Sequence, residues 1–397
     1  MTSAIHTPAP SVPVPPQHWT TGWSVPQQRS AEGFEPNWSR AGFGDHTLRQ
    51  VVRPTHDGTT VRITLSNRYG SRPVTVDGLG IARTIGGARA GRPAPLRFGG
   101  STRVSIPAGQ ELTSDPAEFR VRALESVAVT MHLPDPTGPA TFHAQGYATS
   151  YRADGDHHDD TDGEVFGETT HSWYFISDVE VSGGDPSPGT VVAFGDSLTD
   201  GFGSGNDADL RWPDQLADRL AATGRRRPVL NAGIGGNLVL NDSPWFGERA
   251  ITRFARDVVR KPDVASVVIL AGLNDFGFSE VDLPSYRPNP DISVDELIAG
   301  HRELLAQAHV AGVVAIGGTI LPMKGAEYYN ETSAAKIREF NEWMRHSGEY
   351  DAVADFNAAM ADPHDPEALN PAFDSGDHKH PGDKGYGAMA EVVLALL

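Results

Sequence analysis

The chain of 397 residues contains no cysteine. This absence excludes a disulfide framework, thiolate metal sites and a cysteine nucleophile, and it leaves the redox compartment open. Basic residues are also scarce, since 33 lysines and arginines stand against 51 aspartates and glutamates, for a net charge of −18. A balance this acidic argues against nucleic acid or an anionic membrane as the main partner. A neutral substrate fits the charge better.

Long apolar runs are missing as well. No run approaches the ~20 residues that a membrane-spanning helix needs. Residues 1–6 lack the basic region and the apolar core of a signal peptide, which predicts a cytoplasmic protein, although a secreted mature chain would look the same. Prolines at positions 8, 10, 13, 15 and 16 predict an extended, disordered tail over residues 1–17.

Residues 18–184 have the pattern of a β-rich domain. Residues 61–65 alternate apolar and polar side chains, and a turn-rich segment separates them from a second alternating run through Val74, Val76 and Leu79. Further strands are predicted at residues 102–106, 119–121, 127–133 and 173–181. Short strands with Gly and Pro turns predict a β-sandwich or jelly roll. The Gly- and Pro-rich residues 183–189 predict a linker, with a second domain over residues 185–397.

An acidic segment with two histidines, residues 154–162, lies inside this front half. Oxygen-rich loops bind calcium, but the ligand spacing and the central glycine of an EF-hand loop are missing. The segment is more typical of a solvated acidic loop. Whether it binds a metal stays open at the level of sequence.

Strands and helices alternate after the linker. Strands are predicted at residues 191–194, 229–231, 266–271, 313–317 and 352–355, and helices at residues 210–222, 294–310, 333–346 and 384–396. This alternation predicts a parallel sheet with helices on both faces. The glycine-rich residues 201–205 and 233–236 complete neither a dinucleotide fingerprint nor a phosphate-binding loop, which argues against a Rossmann oxidoreductase.

The stretch of residues 191–200 places a serine at the mouth of this predicted sheet. Four apolar residues predict a buried strand, and Gly195 would let the backbone turn sharply at its end. Ser197 would then lie in the crevice where open α/β sheets bind ligands, as a nucleophile if a base reaches it. The same tripeptide is also typical of an ordinary helix start with Asp196 or Ser197 as N-cap.

Partners for Ser197 follow the other strands. Residues 231–237 follow the second strand, and a glycine there lets a backbone N–H face the crevice closely. Asn274 follows the third strand, where its amide could donate from the same edge. Asp377 and His380, three residues apart, follow the fifth strand just before the final helix.

These segments carry a family resemblance. In order, Gly-Asp-Ser-Leu at 195–198, the Gly-Gly-Asn turn at 235–237, Gly-x-Asn-Asp at 272–275 and Asp-x-x-His-Pro at 377–381 resemble the four blocks of the SGNH hydrolases, the GDSL family of esterases and lipases. The resemblance covers residues 190–397 and implies a flavodoxin-like three-layer α/β/α domain. The front half, with Arg-Trp-Pro-Asp at 211–214, is similar to the accessory domain of a bacterial subgroup associated with carbohydrate esterases.

The resemblance implies a role for each matched residue. Ser197 is similar to the family nucleophile, His380 to its general base and Asp377 to the carboxylate that orients this base. His378 could pair with Asp374 and compete for the role of base, but the family sets the histidine before proline in that place. No metal or organic cofactor is implied.

An oxyanion hole is implied in the same way. It would consist of the Ser197 N–H, the Gly236 N–H and the side-chain amide of Asn274. Gly235 is the alternative to Gly236, because the family often has serine where this chain has Gly235. Asp196, Asn237 and Asp275 are interpreted as residues that hold the turns.

The resulting hypothesis is a serine esterase for short-chain carboxylic esters, with acetylated carbohydrates as candidate substrates. The acyl preference rests on the absence of an apolar lid insertion, and residues 275–293, with Phe276, Phe278 and Tyr286, are expected to line the pocket. The front half is expected to dock firmly and shape the entrance, with Trp19, Trp23 and Trp38 as candidate sugar platforms.

Two alternatives belong to other classes. Residues 156–158, 195–200, 274–275 and 378–380 superficially resemble the ligand sets of two-metal phosphoesterases. The Gly-Asn-His ligand motif is missing, because aspartate follows Asn274, and Asp156 and His158 fall outside the α/β unit. Inhibition by EDTA would favour that hypothesis. A carbohydrate-binding protein with an inactive hydrolase fold is the other alternative, and binding without ester turnover would favour it.

Overall fold

The structure, a computed structural model, describes residues 18–397, so the tail predicted over residues 1–17 lies outside the described residues. The regular secondary structure of the front half consists of β-strands joined by turns and loops. They are Thr20–Ser24 (β1), His46–Val52 (β2), Gly58–Ser66 (β3), Val74–Gly86 (β4), Arg89–Ala90 (β5), Ala94–Pro95 (β6), Arg103–Ile106 (β7), Glu111–Thr113 (β8), Ala117–Val121 (β9), Val127–Leu133 (β10), Phe142–His143 (β11), Ser150–Asp154 (β12), Glu168–Thr170 (β13), Trp173–Tyr174 (β14) and Ile176–Ser182 (β15).

Two antiparallel sheets contain all of these strands except β11 and β14, which pair with each other. One has the order β1-β15-β3-β8 with β9 also on β3, and the other has the order β13-β12-β2-β10-β4-β5 with β6 and β7 also on β4. Ile63 and Val179 of the first sheet and Ile81 and Val129 of the second belong to one apolar core. A β-rich front half is therefore confirmed, whereas its jelly-roll connectivity stays a prediction.

The front half differs from the sequence prediction in two respects. The strand predicted over residues 173–181 is divided, because Phe175 adopts a positive φ of 60° between β14 and β15. Strand β2 was not predicted, because both of its faces bury polar groups: Thr47 and Arg49 on one face and Gln50 on the other are almost fully buried. Hydrogen bonds satisfy these groups, as when Gln50 Nε2 donates to the Tyr174 carbonyl at 2.9 Å.

The second half is an α/β unit with a five-stranded sheet. Its strands are Thr190–Gly195 (β16), Val229–Gly233 (β17), Val264–Leu270 (β18), Val314–Gly318 (β19) and Ala352–Ala354 (β20), followed by a small hairpin of Ala361–Asp362 (β21) and Asp365–Leu369 (β22). Its α-helices are Ser197–Asp200 (α1), Trp212–Ala222 (α2), Ala250–Phe254 (α3), Leu273–Gly277 (α4), Val294–Val310 (α5), Glu331–His346 (α6), Phe356–Met360 (α7) and Asp383–Leu394 (α8). A π-helical turn spans Ala255–Val259, and 3-10 turns span Phe278–Glu280 and Pro284–Tyr286.

All five strands of this sheet are parallel, in the order β17-β16-β18-β19-β20. The chain moves one way from β16 to β17 and then the opposite way across β16 to β18. Right-handed crossovers therefore place α2 on one face and α3, α5 and α6 on the other. Helices α2 and α8 pack together, as do α3 and α5. The predicted parallel α/β arrangement is thus confirmed.

The strand order also fixes where a ligand can bind. Strands β16 and β18 are neighbours, but their chain connections leave in opposite directions, which opens a crevice beyond their carboxyl ends. Ser197 follows β16 directly, and Asn274 follows β18 in the short helix α4. The sheet therefore brings both residues to the same edge.

Several polar contacts join the two halves. Arg53 Nη2 lies 2.7 Å from Asp218 Oδ1, and the Thr55 hydroxyl donates to the Val229 carbonyl at 3.0 Å. Lys261 forms an ion pair with Asp178. Strand β1 consequently packs beside β17. Of the helices in residues 18–397, none has the length and apolar character that crossing a membrane requires.

Candidate active site

Ser197 is the first residue of α1 and lies at the carboxyl end of β16. Asp196 is the N-cap of this helix, because its Oδ1 accepts the Leu198 N–H at 3.0 Å. The capping role therefore falls to Asp196, and the Ser197 hydroxyl is left for another partner. Only 6% of Ser197 is exposed.

Gly195 has a different role from the one expected from the sequence. Its φ is not positive, so the sharp turn does not require a glycine here. A Cβ atom on Gly195 would lie 2.1 Å from the Leu270 carbonyl oxygen and 2.6 Å from Thr199 Oγ1. Glycine is needed because β16 approaches β18 and α1 this closely.

The Ser197 hydroxyl, the His380 ring and the Asp377 carboxylate form a continuous chain of hydrogen bonds. Ser197 Oγ lies 2.7 Å from His380 Nε2, and His380 Nδ1 lies 2.6 Å from Asp377 Oδ2. The other carboxylate oxygen of Asp377 accepts the backbone N–H groups of Lys379 and His380 at 3.1 and 2.9 Å. The turn between Asp377 and His380 therefore fixes the carboxylate against the ring.

The surroundings favour a neutral ring on His380 and a charged carboxylate on Asp377. Burial lowers the pKa of His380 below its ordinary value of 6.5, the Asp377 carboxylate opposes this fall, and the charge of Lys379 lowers the pKa further. Burial alone would raise the pKa of Asp377, but the hydrogen bonds that its carboxylate accepts from the His380 ring and from the backbone of His380 and Lys379 hold it well below its usual range. A neutral imidazole can accept the serine proton.

His378, the competing histidine, lies elsewhere. Its Nδ1 contacts Asp374 Oδ2 at 2.7 Å, as the sequence analysis considered, but more than half of its side chain is exposed to solvent. The Ser197 hydroxyl contacts the ring of His380 instead.

Ser197, Gly236 and Asn274 line one cavity together with His380 and Asp377. Asn274 Nδ2 donates one of its two hydrogens to the Asn237 carbonyl at 3.1 Å, which leaves the second hydrogen for a ligand. These three residues come from three different strand ends, and the fold brings them together.

Gly235 and Gly236 differ in what their N–H groups contact. The Gly235 N–H donates to Asp200 Oδ2 at 2.8 Å, and Gly235 does not line the cavity. Gly236 lines it and has a φ of +73°, where a Cβ would lie 2.5 Å from the Phe246 ring. Only Gly236 of the two faces the cavity.

The turns around the cavity are held by buried polar groups. Asp275 accepts the Val239 N–H at 2.9 Å, and burial raises the pKa of Asp275 to about 7. Arg253, which the sequence analysis missed, donates to the Gly195 carbonyl at 2.8 Å and to Asn237 Oδ1 at 2.9 Å. Because Arg253 is fully buried and contacts two strand ends at once, it fixes their spacing.

The cavity has a volume of about 220 Å³, and five of its twelve lining residues are phenylalanines or tyrosines. Phe278 and Tyr286 of the predicted loop belong to this lining, and their rings stack with centroids 4.1 Å apart. Phe276 does not, because it is buried against Phe340. The remaining lining side chains are Phe34, Phe202, Glu327, Tyr328 and Lys379.

Phe34 is notable because it comes from the front half. No sequence pattern marks it, since the contact joins residues more than 150 positions apart. Lys379 lies inside the Asp-x-x-His-Pro block, and its Nζ contacts Glu327 Oε1 at 2.7 Å. The ion pair gives the aromatic cavity one polar wall.

The three tryptophans considered as sugar platforms do not line this cavity. Trp23 is buried and packs edge-on against Trp173 with ring centroids 5.0 Å apart. Trp38 stacks on Tyr174 at 5.6 Å, and the Arg62 guanidinium covers the ring of Trp19 at 4.3 Å. Trp23 and Trp38 pack within the front half, which is the commoner role of tryptophans in a β-sandwich, and their positions lend no support to the sugar-platform hypothesis.

The ligand set of the phosphoesterase alternative is not assembled. Asp156 and His158 contact each other at 2.6 Å beside the second front sheet, and neither lines the cavity of Ser197. Within residues 18–397, no three or more His, Asp or Glu side chains are grouped so that they could hold a metal ion.

Comparison with known families adds a finding about the second half. Residues 193–388 match the model of the GDSL-like Lipase/Acylhydrolase family. A search of curated proteins found no match.

Solved structures of this kind cover the same half. A catalytic mutant of Axe2, an acetylxylan esterase from Geobacillus stearothermophilus, is 21% identical, with a TM-score of 0.42, over 53% of this chain and 94% of that one. A GDSL-like lipase from Bacteroides thetaiotaomicron is 21% identical, with a TM-score of 0.39, over 52% of this chain and 86% of that one. An alpha/beta hydrolase enzyme from the metagenome of Lake Arreo, Spain, is 22% identical, with a TM-score of 0.41, over 53% of this chain and 95% of that one.

Proposed function

We propose that this chain, a carboxylic ester hydrolase whose residues 193–388 form a domain of the GDSL-like lipase/acylhydrolase family, cleaves short-chain esters through an acyl-enzyme on Ser197. The observation that carries the proposal is the chain of contacts from Ser197 Oγ through His380 to Asp377, at 2.7 and 2.6 Å, inside an aromatic cavity. A serine hydroxyl is too weakly acidic to attack unaided, and this arrangement supplies the base.

In the acylation step, Ser197 Oγ attacks the ester carbonyl carbon while its proton passes to His380 Nε2. Asp377 accepts the hydrogen bond from Nδ1 and stabilises the imidazolium that forms. When the tetrahedral intermediate collapses, the carbon–oxygen bond to the alcohol breaks and the alcohol takes the proton from His380. Water then attacks the acyl-serine by the same route, with His380 as its base, and releases the acid.

Three donors are proposed to stabilise the oxyanion: the N–H groups of Ser197 and Gly236 and the free hydrogen of the Asn274 amide. The support is that all three residues line the cavity, while the neighbouring Gly235 N–H is already bonded to Asp200. Donors held in place by the fold stabilise charge that exists only in the transition state.

The proposed acyl group is short, from acetyl to butyryl. The cavity of about 220 Å³ is smaller than the ~300–1,000 Å³ typical of pockets for drug-sized ligands, which supports a small acyl group. Acetylated carbohydrates are the candidate natural substrates, since the net charge of −18 favours a neutral substrate and aromatic rings suit the apolar faces of sugars.

We further propose that residues 18–184 and 185–397 are two domains that dock firmly, with the first shaping the substrate entrance as a sandwich- or jelly-roll-like accessory domain. Firm docking is supported by the contacts of Arg53 and Thr55 with the second half. A role at the substrate entrance is supported by Phe34, which lines the cavity. Every residue of the proposed chemistry lies after position 190.

The test is a rate profile across acyl-chain length beside a panel of acetylated sugars, run on the full chain and on Ser197→Ala. The proposal expects kcat/KM to be highest from acetyl to butyryl and turnover to vanish in the variant. Faster cleavage of palmitoyl esters would contradict the short-chain claim, and turnover by Ser197→Ala would contradict the mechanism.

A further inference from the structure

His143 is a front-half residue buried directly behind the proposed oxyanion loop. It lies in β11 and is 0% exposed. Its Nδ1 lies 3.0 Å from the Pro26 carbonyl oxygen, and its Nε2 lies 3.0 Å from Asp200 Oδ1 in α1. The contact joins the two halves inside the molecule, where no solvent screens it.

The two acceptors determine the hydrogens of this contact. A carbonyl oxygen cannot donate, so Nδ1 carries a hydrogen and donates it to Pro26. One more proton lies between Nε2 and Asp200, and the pair has no net charge whichever partner holds that proton. His143 is therefore held from both sides and has a single orientation.

Asp200 connects His143 to the loop that contains Gly235 and Gly236. Its second oxygen, Oδ2, accepts the Gly235 N–H at 2.8 Å. Asp200 is 1% exposed, and it belongs to the same four-residue helix as Ser197. One buried carboxylate thus joins the helix of the nucleophile, the glycine loop and the front half.

Gln145, two residues after His143, presses on the same loop. A Cβ added to Gly235 would lie 1.8 Å from Gln145 Oε1. Gln145 Nε2 is committed to the Tyr147 hydroxyl at 3.0 Å. The backbone of Gly235 does not have a positive φ, so its conformation does not require glycine. The atom closest to a Cβ at this position is Oε1 of Gln145.

We propose that His143 is a positioning residue for ester hydrolysis, which sets the Gly236 N–H through Asp200 and Gly235. The inference rests on the proposed function, because it assumes that Gly236 donates to the oxyanion. His143 itself touches no substrate. The front domain would then be required for turnover of even the smallest ester, beyond shaping the entrance.

The first experiment compares His143→Phe and His143→Gln in the full chain, with p-nitrophenyl acetate as substrate. His143→Phe removes both hydrogen bonds, and we expect kcat to fall about 10- to 100-fold with KM changed little, because small displacements of catalytic groups cost rates of this order. His143→Gln keeps an amide that can donate to Asp200, and it is expected to fall between His143→Phe and the wild type.

A transition-state probe separates positioning from a general loss of structure. A short alkyl boronic acid forms a tetrahedral adduct with serine, so its affinity should fall by the same factor as kcat/KM in His143→Phe. Lys261→Gln, which removes the ion pair with Asp178 between the halves, is the matched control and should keep both the boronic-acid affinity and kcat/KM. Unchanged kcat in a folded His143→Phe would overturn the inference.

The second experiment uses Gly235 and does not depend on folding of the His143 variants. Gly235→Ala should lower kcat by displacing the loop, and Gly235→Ala combined with Gln145→Gly should restore much of it. An absence of restoration would contradict the proposed contact. Turnover by Ser197→Ala would overturn the proposed function, whereas an essential Ser197 with wild-type kcat in both experiments would overturn this inference alone.

Discussion

The ring of Phe34 in the front half stacks on the ring of Phe246 in the α/β half, with centroids 5.3 Å apart and an interplanar angle of 16°. Phe246 in turn packs against Gly236, the residue proposed to donate to the oxyanion. Phe34 is 48% exposed and forms a wall of the cavity. The front half therefore contributes a half-exposed aromatic side chain to the cavity that Ser197 lines.

Phe34→Ala should widen the acyl specificity. Removing this wall lengthens the cavity, so kcat/KM for a hexanoyl ester should rise relative to an acetyl ester, by about tenfold, the size of one or two methylene contacts. The check is the ratio of the two values. Ile85→Ala, which removes a more exposed apolar side chain from the same half, is the control. An unchanged ratio in Phe34→Ala would show that Phe34 does not limit the acyl group.

Asn274→Ala should lower kcat by about 100- to 1000-fold with a smaller change in KM. Its amide is proposed to bind the oxyanion, a charge absent from the ground state. Steady-state kinetics on a short ester measure both constants. A loss confined to KM would instead make Asn274 a substrate-binding residue.

The pH profile should respond to Lys379. Because burial and the charge of Lys379 lower the pKa of His380, neutral His380 persists below pH 6.5, and the acid limb of kcat/KM should lie there. Lys379→Met removes the positive charge that lowers the pKa of His380, and it leaves the Glu327 carboxylate without its ion-pair partner. Both changes raise the pKa of His380. The limb should therefore move to higher pH.

Lys324→Met is the control for this shift, since it removes an exposed lysine paired with Asp365. Its pH profile should match that of the wild type. A limb that moves to lower pH in Lys379→Met, or stays in place, would contradict the electrostatic account of His380.

The fragment 185–397 should be inactive or aggregated when expressed alone. It lacks Phe34 and His143, and separation from the front half would leave Asp200 without its buried partner. Solubility and the hydrolysis of a small ester measure the effect. A soluble fragment with full activity on small and polymeric esters would contradict both the firm docking and the role of His143.

The sequence was most informative where a single segment determines its own structure. Strands β16 and β18 are buried on both faces, so most of their residues are apolar. Their predicted bounds differ from the observed ones by one or two residues. Helix α5 was predicted with its observed bounds, and the structure shows a capping box at Ser293 and Glu296 that fixes its start. Ser197 and Asn274 could be located because they follow these two strand ends, whereas Asp377 and His380 were assigned through the Asp-x-x-His-Pro block of the family resemblance.

Features that depend on contacts between distant segments could not be predicted. Phe34, His143 and Arg253 each act through partners far along the chain, and nothing around them in the sequence marks a site. Strand β2 was missed because its polar side chains are buried against partners that only the fold supplies. Burial of Trp23 is likewise decided by the opposing Trp173.

The central claim is that Ser197 becomes acylated with His380 as its base. Mass spectrometry of the full chain after treatment with a fluorophosphonate measures this most directly. The account predicts one adduct per chain on Ser197, labelling that is slowed by orders of magnitude in His380→Ala, and near-complete loss of ester turnover in both Ser197→Ala and His380→Ala, because the members of a triad act as a unit. An adduct on another residue, or wild-type labelling and turnover in His380→Ala, would contradict it.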